Sequence, residues 1–136
     1  MEKNLPTGQW HGFYLESHQP RRGWMHLYME FSNEKIAGEG TDYVGPWNAR
    51  GQYNSTTGMC TWVKQYLGKH QVHYQGLSGP NGIQGQWKIG YLAGEFHIWP
   101  TTHGHLDELY LREDLSQTAP SVQLGTVPTA DFANLA

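Results

Sequence analysis

The sequence is short of several things at once. It has one cysteine, Cys60, so no disulfide can form within the chain. Cys60 sits in an alternating strand pattern and reads as a small buried side chain rather than a reactive thiol. No apolar stretch follows Met1 and no long apolar run occurs anywhere, so neither a secretory leader nor a membrane-spanning helix is expected, and a cytoplasmic location is the default. Charge is scarce as well. Charged residues make up 15% of the chain, which is low for a helical protein and ordinary for a strand-rich one. Arg21-Arg22 is the only basic doublet and the formal net charge is -3, which argues against nucleic acid or an acidic membrane as partner.

Glycine and aromatic residues are abundant instead. There are 17 Gly, 6 Trp and 8 Tyr among 136 residues, the composition of a turn-rich β-protein of one domain. Side chains two apart share a face of a strand, and that period recurs throughout. Gly8, Trp10, Gly12 and Tyr14 share one face of a first strand, and His11, Phe13 and Leu15 the other. After a turn at Gln19-Pro20-Arg21-Arg22-Gly23, Met25, Leu27, Met29 and Phe31 alternate with Trp24, His26, Tyr28 and Glu30. This is the cleanest period of two in the chain. Later inward sets are Ile36/Gly38/Gly40/Asp42, Trp47/Ala49/Gly51/Tyr53, Cys60/Trp62/Lys64/Tyr66, His70/Val72/Tyr74/Gly76, Ile83/Gly85/Trp87/Ile89 and Phe96/Ile98. Turn residues separate each from the next.

Eight strands at hairpin spacing predict an all-β fold: an eight-stranded antiparallel up-and-down meander, closed into a barrel so that no edge is left exposed. The barrel is expected over residues 7–100. Residues 101–136 form a C-terminal extension in which Leu106–Leu115 has the makings of a short helix, followed by an extended or disordered tail. None of the Gly-rich pieces precedes a helix, so none is a phosphate-binding loop.

The opening Gly8-Gln9-Trp10, the eight meander strands and the interior tryptophans together resemble the calycin superfamily, and within it the avidin and streptavidin arrangement. The resemblance covers residues 7–100 and is one of architecture. It implies a small molecule bound at the open end of the barrel, and a homo-oligomer. The first hairpin lacks the small hydroxyl and amide residues of a biotin site, so the resemblance does not extend to that ligand.

The inward faces gather a polar set among aromatic walls: Asp42, Lys64, Tyr66, His70 and Tyr74 with Trp10, Tyr14 and Trp87. Aromatic walls with a few convergent polar groups suit a small ligand, and Asp42 would pair with Lys64, since an unpaired buried charge is costly. The competing reading is a fully packed barrel with a polar plug. His97, His103 and His105, with Asp107 or Glu108, have the residue types of a metal site. A solvated loop is the favoured reading of that segment, and neither a metal nor a cofactor is expected. Tyr66, His70 and Asp42 contain a general base but no nucleophile–base motif. The expectation is therefore non-covalent binding of a small organic molecule, with an enzyme on the same cavity as one alternative. The other is an interaction domain presenting Trp24, Tyr28 and Trp99 on its outside.

Overall fold

The computed structural model describes residues 5–16 and 21–121, with side chains to residue 112. Eight strands run in sequence: β1 (Gly8–Leu15), β2 (Arg22–Ser32), β3 (Lys35–Asp42), β4 (Gly45–Tyr53), β5 (Met59–Tyr66), β6 (Gln71–Gly79), β7 (Gly82–Ile89) and β8 (Leu92–Pro100). Each pairs antiparallel with the next, and β8 returns to β1 to close the barrel. Tight turns set the register. Asn33 and Glu34 both have positive φ, the pair of left-handed conformations that matches the twist of a two-residue hairpin. Gly68, at φ 73°, turns β5 into β6.

The seam depends on a missing side chain. Gly12 of β1 faces Ile98 of β8, and a Cβ on Gly12 would overlap the backbone of His97 and Ile98. Any larger residue there pushes the closing strands apart.

Every inward set is inside. Trp10, Tyr14, Met25, Leu27, Met29 and Phe31 are buried, as are the large apolar residues of the sets on β3 to β8 except Ile89, which is half-buried at the barrel end. At the Gly8 end, Trp10 packs on Phe31 with ring centroids 5.4 Å apart, and Phe31 on Tyr53 at 5.8 Å. In mid-barrel Trp62 stacks on Tyr74 at 5.2 Å, with Phe96 edge-on to both. Aromatic pairs of this kind add about 0.5–1.5 kcal/mol each beyond their burial. Cys60 is fully buried, and burial pushes its thiol up to about 11, which leaves it unreactive at neutral pH.

Three expectations are corrected. Trp99 is not on an exposed surface. It is fully buried in a second cluster with Phe13 and Leu106, against which Leu15, Trp24 and Tyr110 pack. The cause is helix α1 (Gly104–Ser121), which covers the outer side of β1 and β8, so those strands are apolar on both faces. Helix α1 also starts earlier and runs further than Leu106–Leu115, taking up residues assigned to the tail; residues 122–136 lie outside those described. Finally, Arg22 and Gly23 belong to β2, while Gln19 and Pro20 of the expected first turn lie outside the described residues. Among the described residues no helix is long and apolar enough to cross a membrane.

Candidate functional site

One end of the barrel is where β1 runs into β2, β3 into β4, β5 into β6 and β7 into β8. The polar residues gather there because the inward positions at the ends of β3 and β5 are Asp42, Lys64 and Tyr66. Pairing across β5 and β6 places Lys64 beside Val72 and Trp62 beside Tyr74. Pairing across β4 and β5 sets Trp47 opposite Tyr66.

At the centre is a buried ion pair. Lys64 Nζ donates to Asp42 Oδ2 at 2.9 Å, and neither side chain is more than 1% exposed. Lys64 Nζ also donates to the Tyr74 hydroxyl at 3.2 Å and lies 3.3 Å from Met25 Sδ. The Tyr66 hydroxyl donates to Asp42 Oδ2 at 2.8 Å, and the Val44 backbone N–H donates to Asp42 Oδ1 at 2.9 Å. Around the ammonium stand four rings, with centroids 4.8 Å away for Trp47 and Tyr66, 5.0 Å for Tyr14 and 5.4 Å for Tyr74. A cation ringed by aromatic faces is held electrostatically as well as by hydrogen bonds. Glycines make room for two of the rings: Tyr14 lies against Gly23, and Trp47 against Gly40.

Burial governs the titration of this cluster. It pulls the Lys64 ammonium down to about 8, against the opposing pull of the Asp42 carboxylate. It also pushes the hydroxyls of Tyr14, Tyr66 and Tyr74 well above their usual range, with the nearby Asp42 carboxylate adding to the effect. His70 packs its ring on Tyr66 at 5.0 Å. Burial, and then the positive charges of Lys64 and Lys69, hold its imidazole below the ordinary value. At neutral pH Lys64 is therefore charged and the three tyrosine hydroxyls keep their protons.

Comparison with protein families, with curated proteins and with solved structures finds no match.

The architecture is a closed eight-stranded antiparallel up-and-down barrel. Of those singled out in the sequence, Asp42, Lys64, Tyr66 and Tyr74 form one bonded network, with Tyr14 over the ammonium and His70 on Tyr66. Trp87 stands one layer away. Its Nε1 donates to the Leu15 carbonyl at 2.7 Å, and its ring meets the edge of Tyr14 at 6.4 Å. Trp10 belongs to the opposite end, where its Nε1 donates to the Pro6 carbonyl. Sequence reasoning left out Met25 and Trp47. Trp47 was legible, being the first inward residue after Gly45-Pro46 at the same end as Asp42. Its Nε1 is buried and, among the described residues, has no hydrogen-bond partner. Beside the network, a crevice of about 260 Å³ opens between Glu16, Arg21, Gly23 and Tyr43.

The histidines do not assemble a metal site. His97 bonds the Asn81 carbonyl at 2.6 Å and the Tyr110 hydroxyl at 3.0 Å, while the rings of His103 and His105 lie 6.0 Å apart. Among the described residues no three His, Cys, Asp or Glu side chains are placed to hold an ion.

Proposed function

We propose that this calycin-like, avidin-like barrel binds a small polar organic molecule non-covalently at the Lys64–Asp42 end. One observation carries the reading: a charged, hydroxyl-rich network sits inside a barrel that apolar residues would fill at least as stably. Replacing a buried ion pair by well-packed hydrophobic residues is often neutral or stabilising, so fold stability alone does not account for Lys64 and Asp42. The unpartnered Trp47 Nε1 adds a donor in the same wall, and leaving such a donor buried and unpaired is costly. A ligand offering one acceptor to Trp47 Nε1 and another to the Tyr74 hydroxyl, which accepts from Lys64 and keeps its own proton to donate, satisfies both. The crevice beside Gly23 and Tyr43 is the natural way in.

The test is native mass spectrometry of gently purified protein beside Trp47→Phe and Tyr74→Phe variants. A copurified adduct that both substitutions remove, with thermal midpoints held within a few degrees, supports binding here. An adduct indifferent to both, or none after exposure to a broad metabolite extract, refutes it.

The amine of Lys64, buried and walled by four aromatic rings, favours an enzyme as the second reading. An amine titrating near 8 lies in the range of lysines that condense with carbonyl compounds. Borohydride trapping of an aldehyde on Lys64, mapped by peptide mass, would carry that reading.

A further inference from the structure

The outward face of β4 to β7 has a composition unlike the rest of the molecule. A shallow groove of about 920 Å³ runs across it. Register builds the groove from cross-strand rows. One row is Arg50, Val63, His73 and Lys88; the next is Gln52, Thr61, Gln75 and Gln86; the last is Met59, Leu77 and Gln84. Lys35 joins the middle row through its pairing with Gln52. The lining contains no carboxylate, although the chain as a whole has net charge -3. The nearest acids by register are Glu39, which pairs with Asn48 beyond the Arg50 row, and Glu95, which pairs with Gln86 at the β8 margin. Among the described residues, Lys35, Arg50 and Lys88 form no ion pair.

From this concentration of unpaired cations beside a row of amides we infer that the β4–β7 face binds an acidic sugar chain, one carrying carboxylates or sulfates. The cations supply charge complementarity. Each glutamine amide offers a donor and an acceptor together, which suits the paired hydroxyls of a sugar ring. Met59 and Leu77, 43% and 56% exposed, form an apolar strip for its C–H face.

The alternatives fit less well. The groove is open, whereas small-molecule sites bury most of their ligand. No outward Phe, Tyr or Trp stands on β4 to β7, and the single imidazole of His73 gives successive bases of a single-stranded nucleic acid no stacking platform. Protein interfaces deplete lysine at their centre and enrich aromatics. A twofold contact between copies would set Arg50, Lys35 and Lys88 against one another. This site is on the opposite side of the sheet from the Lys64 network and is independent of it.

The test is isothermal titration at low salt with four probes: a six-residue oligogalacturonate, a sulfated dextran oligomer, neutral dextran of the same length, and a (dT)6 oligonucleotide. Binding of either acidic sugar is expected, weakening as salt is raised, with none to neutral dextran. Arg50→Ser/Lys88→Ser should weaken it at least tenfold. Gln75→Ala/Gln86→Ala should weaken it at least threefold. All four positions are exposed, so both variants should fold, which an unchanged thermal midpoint checks. No binding of either acidic sugar by the wild type, (dT)6 binding as tightly, or wild-type affinity in both variants would overturn the inference.

Discussion

Two carboxylates in this molecule sit among aromatic rings, one inside the barrel and one outside. Asp42 faces Lys64 at 2.9 Å with essentially no surface exposed. Asp107, on α1, faces His11 Nδ1 at 2.7 Å with its side chain 31% exposed, and it accepts a second bond from Trp99 Nε1 at 2.6 Å. The His11 ring in turn stacks on Trp24 and His26, with centroids at 5.0 and 4.8 Å. The contacts are alike, but the surroundings are not. Inside, water cannot replace a lost partner, so each charge depends wholly on the other. Outside, water reaches Asp107, and the same contact becomes a modest clasp that holds a helix on a sheet. The inner pair is where function is to be sought, and the outer one is where the chain is fastened.

Removing one partner on each side breaks this comparison most sharply. Lys64→Met leaves a buried carboxylate unpaired and should lower unfolding free energy by about 3–5 kcal/mol in urea titration. Lys64→Met/Asp42→Asn removes both charges and should recover most of that loss. A double variant no more stable than the single one would mean that the ion pair itself, and not the stranded charge, is what the fold requires.

Next in size is the pH dependence. Lys64 titrates near 8 in the folded chain and near 10.4 when unfolded. Between those values the unfolded chain holds the extra proton, so stability rises with pH. Lys64 alone contributes a rise on the order of 3 kcal/mol at about 1.4 kcal/mol per unit. Cys60, whose thiol burial holds up to about 11, opposes it from about 8.5 upward, so the Lys64 limb is read on a Cys60→Ala background. Above about 10 the sign reverses: Tyr14, Tyr66 and Tyr74, held up by burial, keep protons that the unfolded chain gives up. Below about 6.5 stability falls again through His70 and His97, whose lowered values mean that the unfolded chain protonates first. Denaturation midpoints from pH 5 to 11 check all three limbs, and Lys64→Met/Asp42→Asn should lose the rise above 8.

The outer clasp should respond less. Asp107→Ala removes two hydrogen bonds at a partly wet site and should cost about 1–2 kcal/mol. Its clearer signature is faster amide exchange over 104–112 with the barrel amides unchanged. Smallest of all is the outer sheet: Tyr28→Lys, at a position 39% exposed, should fall within about 0.5 kcal/mol.

The inner side was readable in the sequence because strands alternate. Met25, Leu27, Met29 and Phe31 announce one face, and the same period carries Lys64 and Tyr66 inward although both are polar. Hairpin adjacency then puts Tyr74 and His70 beside them. The outer side was not readable this way. Trp24 and Trp99 fall on the face that alternation assigns to solvent, and only the helix 104–121 turns that face into a second core. A signal was present: Phe13 and Leu15 on β1, and His97 and Trp99 on β8, make those two strands rich in large side chains on both faces, and they are neighbours in a closed barrel. Trp10 shows the limit of the inward reading. Sharing a face with Tyr14 does not mean sharing an end, because about four residues of strand separate the two by roughly 13 Å.

The seam between β1 and β8 also sets the order of events when the chain folds. Seven of the eight pairings join neighbours in sequence, but Trp10 meets Pro100. Long-range pairings are the slow ones, because a large loop must close before the contact is gained. Until β8 arrives, β1 and β7 are open sheet edges, the form of surface most prone to pairing with another chain. Helix α1 follows β8 directly and lies over the join. It therefore bolts shut the last contact made, and a chain ending at Pro100 should refold more slowly and aggregate more readily than the full one.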